Sequence, residues 1–493
     1  MPIETTPPPV PAKWPNRGAL LAVIVILILV PPIALISWYA NFRTSTAREI
    51  RKLEEQARQR GEPLTLAELQ ALYPPIPDDE NAAVAMIELW KSEDPEYWQA
   101  FLANERPLPE KKTEAYDPYL PYLGAEMGRV PRSQPLASNA LLAAETYLSN
   151  KAGHMEQFRI ALRRARFQFP TSIEDGPAAL LPHLALMKSE AQSFRIAALV
   201  ATERGDSTAA IRHLQYAALT GQALTNEPTI IGHLVRIACL AITLDGAGHL
   251  LSKQSLSLDQ LTQLEQLAED IQLPGACRTA LVRERPFSLC LFDPVVLART
   301  TSITASDSDA SSTEDDEYRI RTGLSILRKM GLLDADRKLM LTTLATAIDL
   351  AAQGTPESLI AYEELLEGIS VSAKKYPPKM FSALMLPSLS KVPQRFATLE
   401  AQRRSCLTAI GVERYRADHN GTIPTTLEQL VPTYLQSVPL DPFDGQPLRF
   451  KRLDKGFVIY SVGNDREDND GKERVSGGKG GMRKMDVTFF VER

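Results

Sequence analysis

The chain has 493 residues, enough for two or more domains with real cores, and its 44% apolar and 23% charged residues are those of ordinary globular protein. A formal net charge of −5 and the lack of a long basic run exclude a nucleic-acid-binding footprint. The four cysteines, Cys239, Cys277, Cys290 and Cys406, form no CxxC pair, so zinc and thioredoxin-type sites are not indicated, and they are expected to be buried small hydrophobes.

Residues 1–17 form a proline-rich, extended tail. Residues 18–42 carry no charge, and their centre reads ALLAVIVILILV, Pro31-Pro32, then IALISWYA. About 20 apolar residues in a helix cross a bilayer core, so a single transmembrane helix is expected here, with Trp38 and Tyr39 at an interface. A cleaved signal peptide is the rival, but its apolar stretch is shorter and a small-x-small site would follow it. Lys13 and Arg17 precede the helix, whereas Arg43, Arg48, Arg51, Lys52, Arg58 and Arg60 follow it, a bias that would place the large C-terminal part in the cytoplasm.

A juxtamembrane helical and irregular region, 43–135, comes next. Residues 46–60 look like a solvated helix. Thr65 and Glu68 form a capping box for a short helix through Leu72, and Asp78 or Asp79 is placed to cap the helix after the YPPIPDDENAA break. From 136 to 392 an all-α region of helical hairpins is expected, with turns at Gly205-Asp206 and Glu227-Pro228. It is solenoid-like but has no strict repeat. TIIGHLVRIACLAITL is apolar nearly all round. It is a buried helix or a weaker second membrane span, because His233 and Arg236 interrupt it. The acidic run 301–317 has no Lys or Arg and is read as a loop. YPPKMFSALMLPSLSKVP is read as a break.

Residues 393–493 change character. Phe396, Leu399, Cys406 and Ile410 share one face of a helix that runs to about Asp418, with Gly421 as a left-handed cap. Three strands, LRFKRL, FVIYSV and DVTFFV, complete a small α+β domain. The fold class is therefore mainly α, with one membrane helix and this C-terminal module.

The module's motifs occur in one order: Tyr415-Arg416-Ala417-Asp418-His419-Asn420-Gly421, Ile423-Pro424, Leu427 to Leu430, Val438-Pro439, Asp441-Pro442-Phe443-Asp444-Gly445 and Tyr460-Ser461-Val462-Gly463-Asn464-Asp465. In these it resembles the C-terminal domain of the major pseudopilin of type II secretion systems. The resemblance covers 393–493 only. In that family the membrane helix runs straight into the domain's helix after a prepilin-peptidase site. Here the uncharged segment lies far upstream, and Val23 stands where the family carries Glu. The chain thus carries a pseudopilin-like module on a different protein. The 203–237 region and Asn81-Ala82-Ala83 resemble uncharacterised bacterial membrane-anchored helical proteins, which brings no known activity.

The resemblance implies a bacterial inner-membrane protein whose N-terminus is cytoplasmic and whose large part is extracytoplasmic, against the basic-residue count. It also implies calcium in the loop 464–471, held by Ser461, Asp465, Asp468 and Asp470. The loop offers four carboxylates and two amides, as a hard cation requires, although an EF-hand register fails at Arg466. Its alternative is a solvated acidic turn. No HExxH, GxSxG or phosphate-loop pattern occurs, and two SxxK matches lack companion motifs. The expected function is a non-enzymatic, membrane-anchored envelope scaffold or interaction protein with protein partners. Two alternatives stand: a component that contacts pseudopilins in a secretion or pilus-like apparatus, and an enzyme whose site is assembled from distant residues. A cleft with converging acids would mark the enzyme, and an extended concave helical face the scaffold.

Overall fold

A computed structural model describes residues 17–103, 105, 109–110, 115–126, 130–293, 296–297, 322–323, 325–375, 380–473 and 485–493. The proline-rich tail up to residue 16, the acidic run 301–317 and the glycine-rich 477–481 stretch lie outside the described residues. Among the described residues the protein is mainly helical, with one small sheet.

Helix α1 (Arg17–Gln59) is a single 43-residue helix with Pro31 and Pro32 inside it. Its apolar part is long enough to cross a membrane and is wholly exposed, Leu27, Leu35 and Ile36 among its outward side chains. The separate, solvated helix expected over 46–60 is the far end of this same helix, and one of its faces is covered. Thr46, Ile50 and Ala57 are buried against α12 (Leu332–Gln353). Ion pairs Glu49–Lys338, Glu54–Arg337 (2.7 Å) and Arg60–Asp349 (2.7 Å) flank that contact. The stripe is only three small or apolar residues wide, so the surrounding charges hid it.

Helix α2 (Leu66–Gln70) has the expected Thr65/Glu68 capping box but ends two residues early. Helix α3 (Ala82–Glu93) is capped by Asn81, not by Asp78 or Asp79: those acids sit before or within the preceding turn, whereas Asn81 has extended backbone and accepts the Ala83 N–H. Helix α4 (Pro95–Leu102) starts on an Asp94 cap, and α5 (Ser138–Asn150) and α6 (Ala152–Ala161) follow. A compact aromatic core joins these elements, with Trp90 stacked on Trp98 at 5.8 Å and Phe158, Met187 and Phe194 around them.

Helices α7 (Pro182–Glu203), α8 (Ser207–Gln222) and α9 (Ile230–Lys253) pack on one another. The first turn falls at Gly205, whose φ of +77° is left-handed, with Asp206 capping α8. Thr229 caps α9. Although α9 is apolar enough for a membrane span, it is wedged among α7, α8, α15 (Val392–Asp418) and the sheet, and buries both His233 and Arg236. It is a core helix. The array does not continue as a solenoid, because α9 packs against α15 and α7–α9 share one core with it.

Helices α10 (Leu258–Glu269) and α11 (Ala276–Leu289) precede α12, and α13 (Pro356–Lys375) follows it. Of the break expected over 376–393, residues 376–379 lie outside the described residues, and Met380–Leu389 form helix α14, with Pro387 inside it. Asp336 of α12 stabilises its start by accepting the N–H groups of Phe381 (2.8 Å) and Ser382 (3.3 Å), a cap supplied from another helix.

The C-terminal helix and sheet form as expected. Strands β1 (Arg449–Arg452), β2 (Phe457–Ser461) and β3 (Val487–Val491) make an antiparallel sheet in the order β1-β2-β3, with Ile459 opposite both Phe450 and Phe489. β3 lies on α9: the Ser252 hydroxyl accepts the Glu492 N–H at 3.1 Å, and Phe489 touches the helix at Gly248. All four cysteines are free and buried.

Candidate functional site: an acidic loop and a buried carboxylate cleft

The loop after β2 is organised by Asp441, a fully buried carboxylate from the Asp-Pro-Phe-Asp-Gly motif. It accepts the Ser461 hydroxyl (2.8 Å), the N–H groups of Val462 and Phe443 (2.9 Å each) and Arg449 Nη1 (2.9 Å). Burial raises its pKa, and these bonds to its charged form work against that. Ser461 is therefore turned inward, and its oxygen also accepts the Gly463 N–H at 3.1 Å.

The three predicted acidic ligands are held by protein groups. Asp465 accepts the Glu467 N–H (3.4 Å) and the Asn469 amide (3.5 Å). Asp468 accepts the Asp470 N–H (2.8 Å), with its second oxygen 3.9 Å from Arg449. Asp470 pairs with Lys451, which lowers its pKa. Asp486, just before β3, accepts the N–H groups of Asn469 and Gly471 and pins the loop to the sheet. Among the described residues no group of three or more His, Cys, Asp or Glu side chains is gathered as a metal would require. In this arrangement Ser461 faces the core and Asp470 is paired with Lys451.

The second region is a cleft of about 410 Å³ that the sequence reading did not single out. Its walls are tied together by two side-chain amides. Asn81 donates to the Gln168 carbonyl (2.9 Å) and accepts the Gln168 N–H (3.0 Å). Gln168 in turn accepts the Ile76 N–H (3.1 Å) and donates to the Tyr73 carbonyl (3.1 Å). The extended stretches around 73–81 and 166–171 are thereby held side by side. Phe167, Phe169, Ile173 and Leu102 supply apolar lining, and α3 contributes Glu88 and Lys91, paired at 2.7 Å.

Glu227, in the turn between α8 and α9, also lines the cleft and is only 4% exposed. One carboxylate oxygen lies 3.1 Å from His183 Nε2, and the other is buried without a hydrogen-bond partner. The Thr171 hydroxyl, on the same cleft, is likewise buried without one. His183 is fully buried and stacked on Phe169 at 4.5 Å, so the imidazole fixes the carboxylate from behind. Glu227 packs on Gly232 so closely that a Cβ there would collide with it.

The surroundings are strongly polar for a protein interior. Glu284 accepts the Ile230 N–H at 3.0 Å at the start of α9, and burial pushes its pKa up to about 7. Burial, helped by Arg283 and Arg236, holds His233 down at about 3. Arg283 donates to the carbonyls of Thr225 (3.2 Å) and Glu227 (3.1 Å) and lies over the Tyr73 ring. A larger hollow of about 720 Å³ adjoins the cleft, shares Tyr73, Phe167 and Gln168 with it, and is lined by Arg163, Arg164, Arg166 and Arg283.

Compared with family models, curated proteins and solved structures, the chain matches none. The functional reading therefore rests on geometry.

Proposed function

We propose that the protein is a membrane-tethered, non-enzymatic interaction protein of the bacterial envelope, with its helical body and C-terminal module held at the membrane by α1. The observation that carries this reading is the continuity of α1. An exposed apolar helix of bilayer-spanning length runs without a break into a segment whose buried face and three flanking ion pairs lock it onto α12. A cleavable leader has no need of such a seat, whereas a tether that positions a body does. We place the body outside the cytoplasm.

Membrane fractionation tests the tether. The full chain is expected in the pellet after an alkaline carbonate wash, and a chain lacking residues 1–42 in the soluble fraction. Recovery of the full chain in the soluble fraction, or of a form cut near the end of the apolar stretch, refutes it. A reporter fused after Arg493 tests the orientation, which fails if the reporter is active only in the cytoplasm.

A second reading, contact with pseudopilins in a secretion or pilus-like apparatus, is favoured by the long α15 followed by the antiparallel β1-β2-β3 sheet. Co-purification with pseudopilins from native membranes, lost on deleting residues 393–493, is the outcome it requires.

A further inference from the structure

We infer that the body has a second membrane contact: the surface at Ile326 and Met330 rests among the phospholipid headgroups of the bilayer that α1 crosses. The inference rests on the tether reading, because α1 sets the height of the membrane. Its uncharged residues 18–42 give about 37 Å of helix, against a hydrocarbon core of about 30 Å. The surplus puts Trp38, Tyr39 and Phe42, the last aromatic residues before Arg43, at headgroup level. The body meets α1 at that height. The Tyr39 hydroxyl donates to the Lys329 carbonyl at 2.5 Å, and Gly331, with a φ of +70°, lies against the side chains of Phe42 and Arg43. From there α12 runs alongside α1 away from the membrane, through the pairs Glu49–Lys338, Glu54–Arg337 and Arg60–Asp349.

Residues 325–329 are helical. Leu327 packs on the core, whereas Ile326 and Met330 are 54% and 53% exposed. The Met330 N–H donates to the Ile326 carbonyl at 3.0 Å, so the two stand one turn apart on the same face. Singly exposed apolar residues are ordinary on a protein surface. These are set apart by height: both lie within one turn of the residue whose carbonyl holds Tyr39. At that level the space beside α1 that protein does not fill is headgroup, whichever way the two side chains point. Arg43, Arg328 and Lys329 are exposed at the same level, where long basic side chains lay their stems along acyl chains and reach phosphate with their charges. Helix α14 starts nearby. Asp336, about 8 Å along α12 from Gly331, holds the Phe381 N–H, and the adjoining Met380 is 50% exposed at the outer edge of a headgroup zone about 5–8 Å deep. With this second contact the body cannot swing freely about its seat on α1, and its orientation to the membrane is fixed.

Fluorescence quenching on the full chain in phospholipid nanodiscs tests it. Ile326→Cys, Met330→Cys and Gln353→Cys each carry an environment-sensitive thiol dye, and the native cysteines are all buried. The substitutions at 326 and 330 replace side chains more than half exposed, so the core stays intact. Gln353, exposed at the far end of α12 about 33 Å from Gly331, is the reference. Phospholipids with a nitroxide at the top of the acyl chain should quench the dyes at 326 and 330 and leave the dye at 353 bright. Co-elution of the chain with the discs reads the tether separately. A chain that does not enter the discs refutes the tether and this contact with it. A chain that enters them, with dyes at 326 and 330 quenched no more than the dye at 353, overturns the contact alone and leaves that face to a protein partner.

Discussion

Stability should fall as pH rises through about 9, and His154 should be the cause. Its ring bridges two acids on different helices, with Nδ1 2.7 Å from Glu93 of α3 and Nε2 2.7 Å from Glu190 of α7. Burial alone would lower its pKa, but the bonds to Glu190 and Glu93 outweigh it and raise the value to about 9. The unfolded chain binds this proton with a pKa near 6.5. The contribution is therefore complete below about 6.5 and is lost as pH climbs through 9. The shift corresponds to at most ~3 kcal/mol, and because the Glu93 side chain is 45% exposed, solvent screening reduces it to about 2 kcal/mol. Trp90 donates to Glu190 and stacks on Trp98, so indole fluorescence reports on this contact. Thermal melts of the full chain in detergent, from pH 6 to pH 10, should show the wild type losing stability relative to His154→Gln by about that amount, a few degrees at most. His154→Ala should cost more at pH 6, about 3–5 kcal/mol, by leaving the buried Glu190 without its cationic partner and with only the Trp90 N–H. If wild type and His154→Gln keep a constant difference across that range, the ion-pair account of His154 is refuted.

Three further outcomes are expected. Asp441→Ala should destabilise by about 3–5 kcal/mol in denaturant titration, since it leaves three buried donors unpaired at once while Arg449 keeps Asp444, and a loss under ~1 kcal/mol would contradict the hub role. Calcium and chelator should give the same melting temperature, because Lys451, Arg449 and main-chain N–H groups already satisfy the 464–471 acids. Calcium binding at a hundredfold excess over its dissociation constant would add about 2.7 kcal/mol, and a rise of that size, removed by Asp465→Ala with Asp468→Ala, would restore the calcium site. Ala57→Asp should bury a carboxylate in the α1–α12 contact and speed trypsin cleavage at Arg51 and Lys52, and unchanged cleavage would mean that α1 is not seated there.

The parts legible in the sequence were those governed by local rules. The Thr65/Glu68 capping box, the Gly205-Asp206 turn, the Gly421 cap and the three strands depend on neighbours a few residues away. What the sequence hid depends on partners far along the chain. Helix α14 forms through a proline-bearing stretch because Asp336, forty-odd residues earlier, caps it. Glu227 was noted only as half of a turn signal, because its burial comes from His183 and Gly232, which lie far from or beyond that turn, packing on it. Asp441 was quoted within a motif, yet its burial beneath Ser461 could not be read from spacing. The one available hint was chemical: a single acid, Glu227, in a turn that leads straight into the apolar helix carrying His233.

The cleft and the C-terminal sheet meet the same helix at its two ends. Helix α9 is about 36 Å long at 1.5 Å per residue. Its first turn carries Gly232 against Glu227 and takes Glu284 on the Ile230 N–H, while its last turns carry Gly248 against Phe489 and Ser252 against the Glu492 N–H. Between them Leu240, Leu244 and Ala247 are buried. A signal passed along α9 would require a second position for the helix. Two of its glycines argue against sliding: Glu227 fills the space over Gly232 and Leu214 that over Gly246, so an axial shift would drive larger side chains into both contacts. The two regions are therefore coupled through shared stability rather than through a switch. A substitution that loosens the Glu227 turn should weaken the sheet only to the extent that it destabilises the whole body, without rearranging β1-β2-β3.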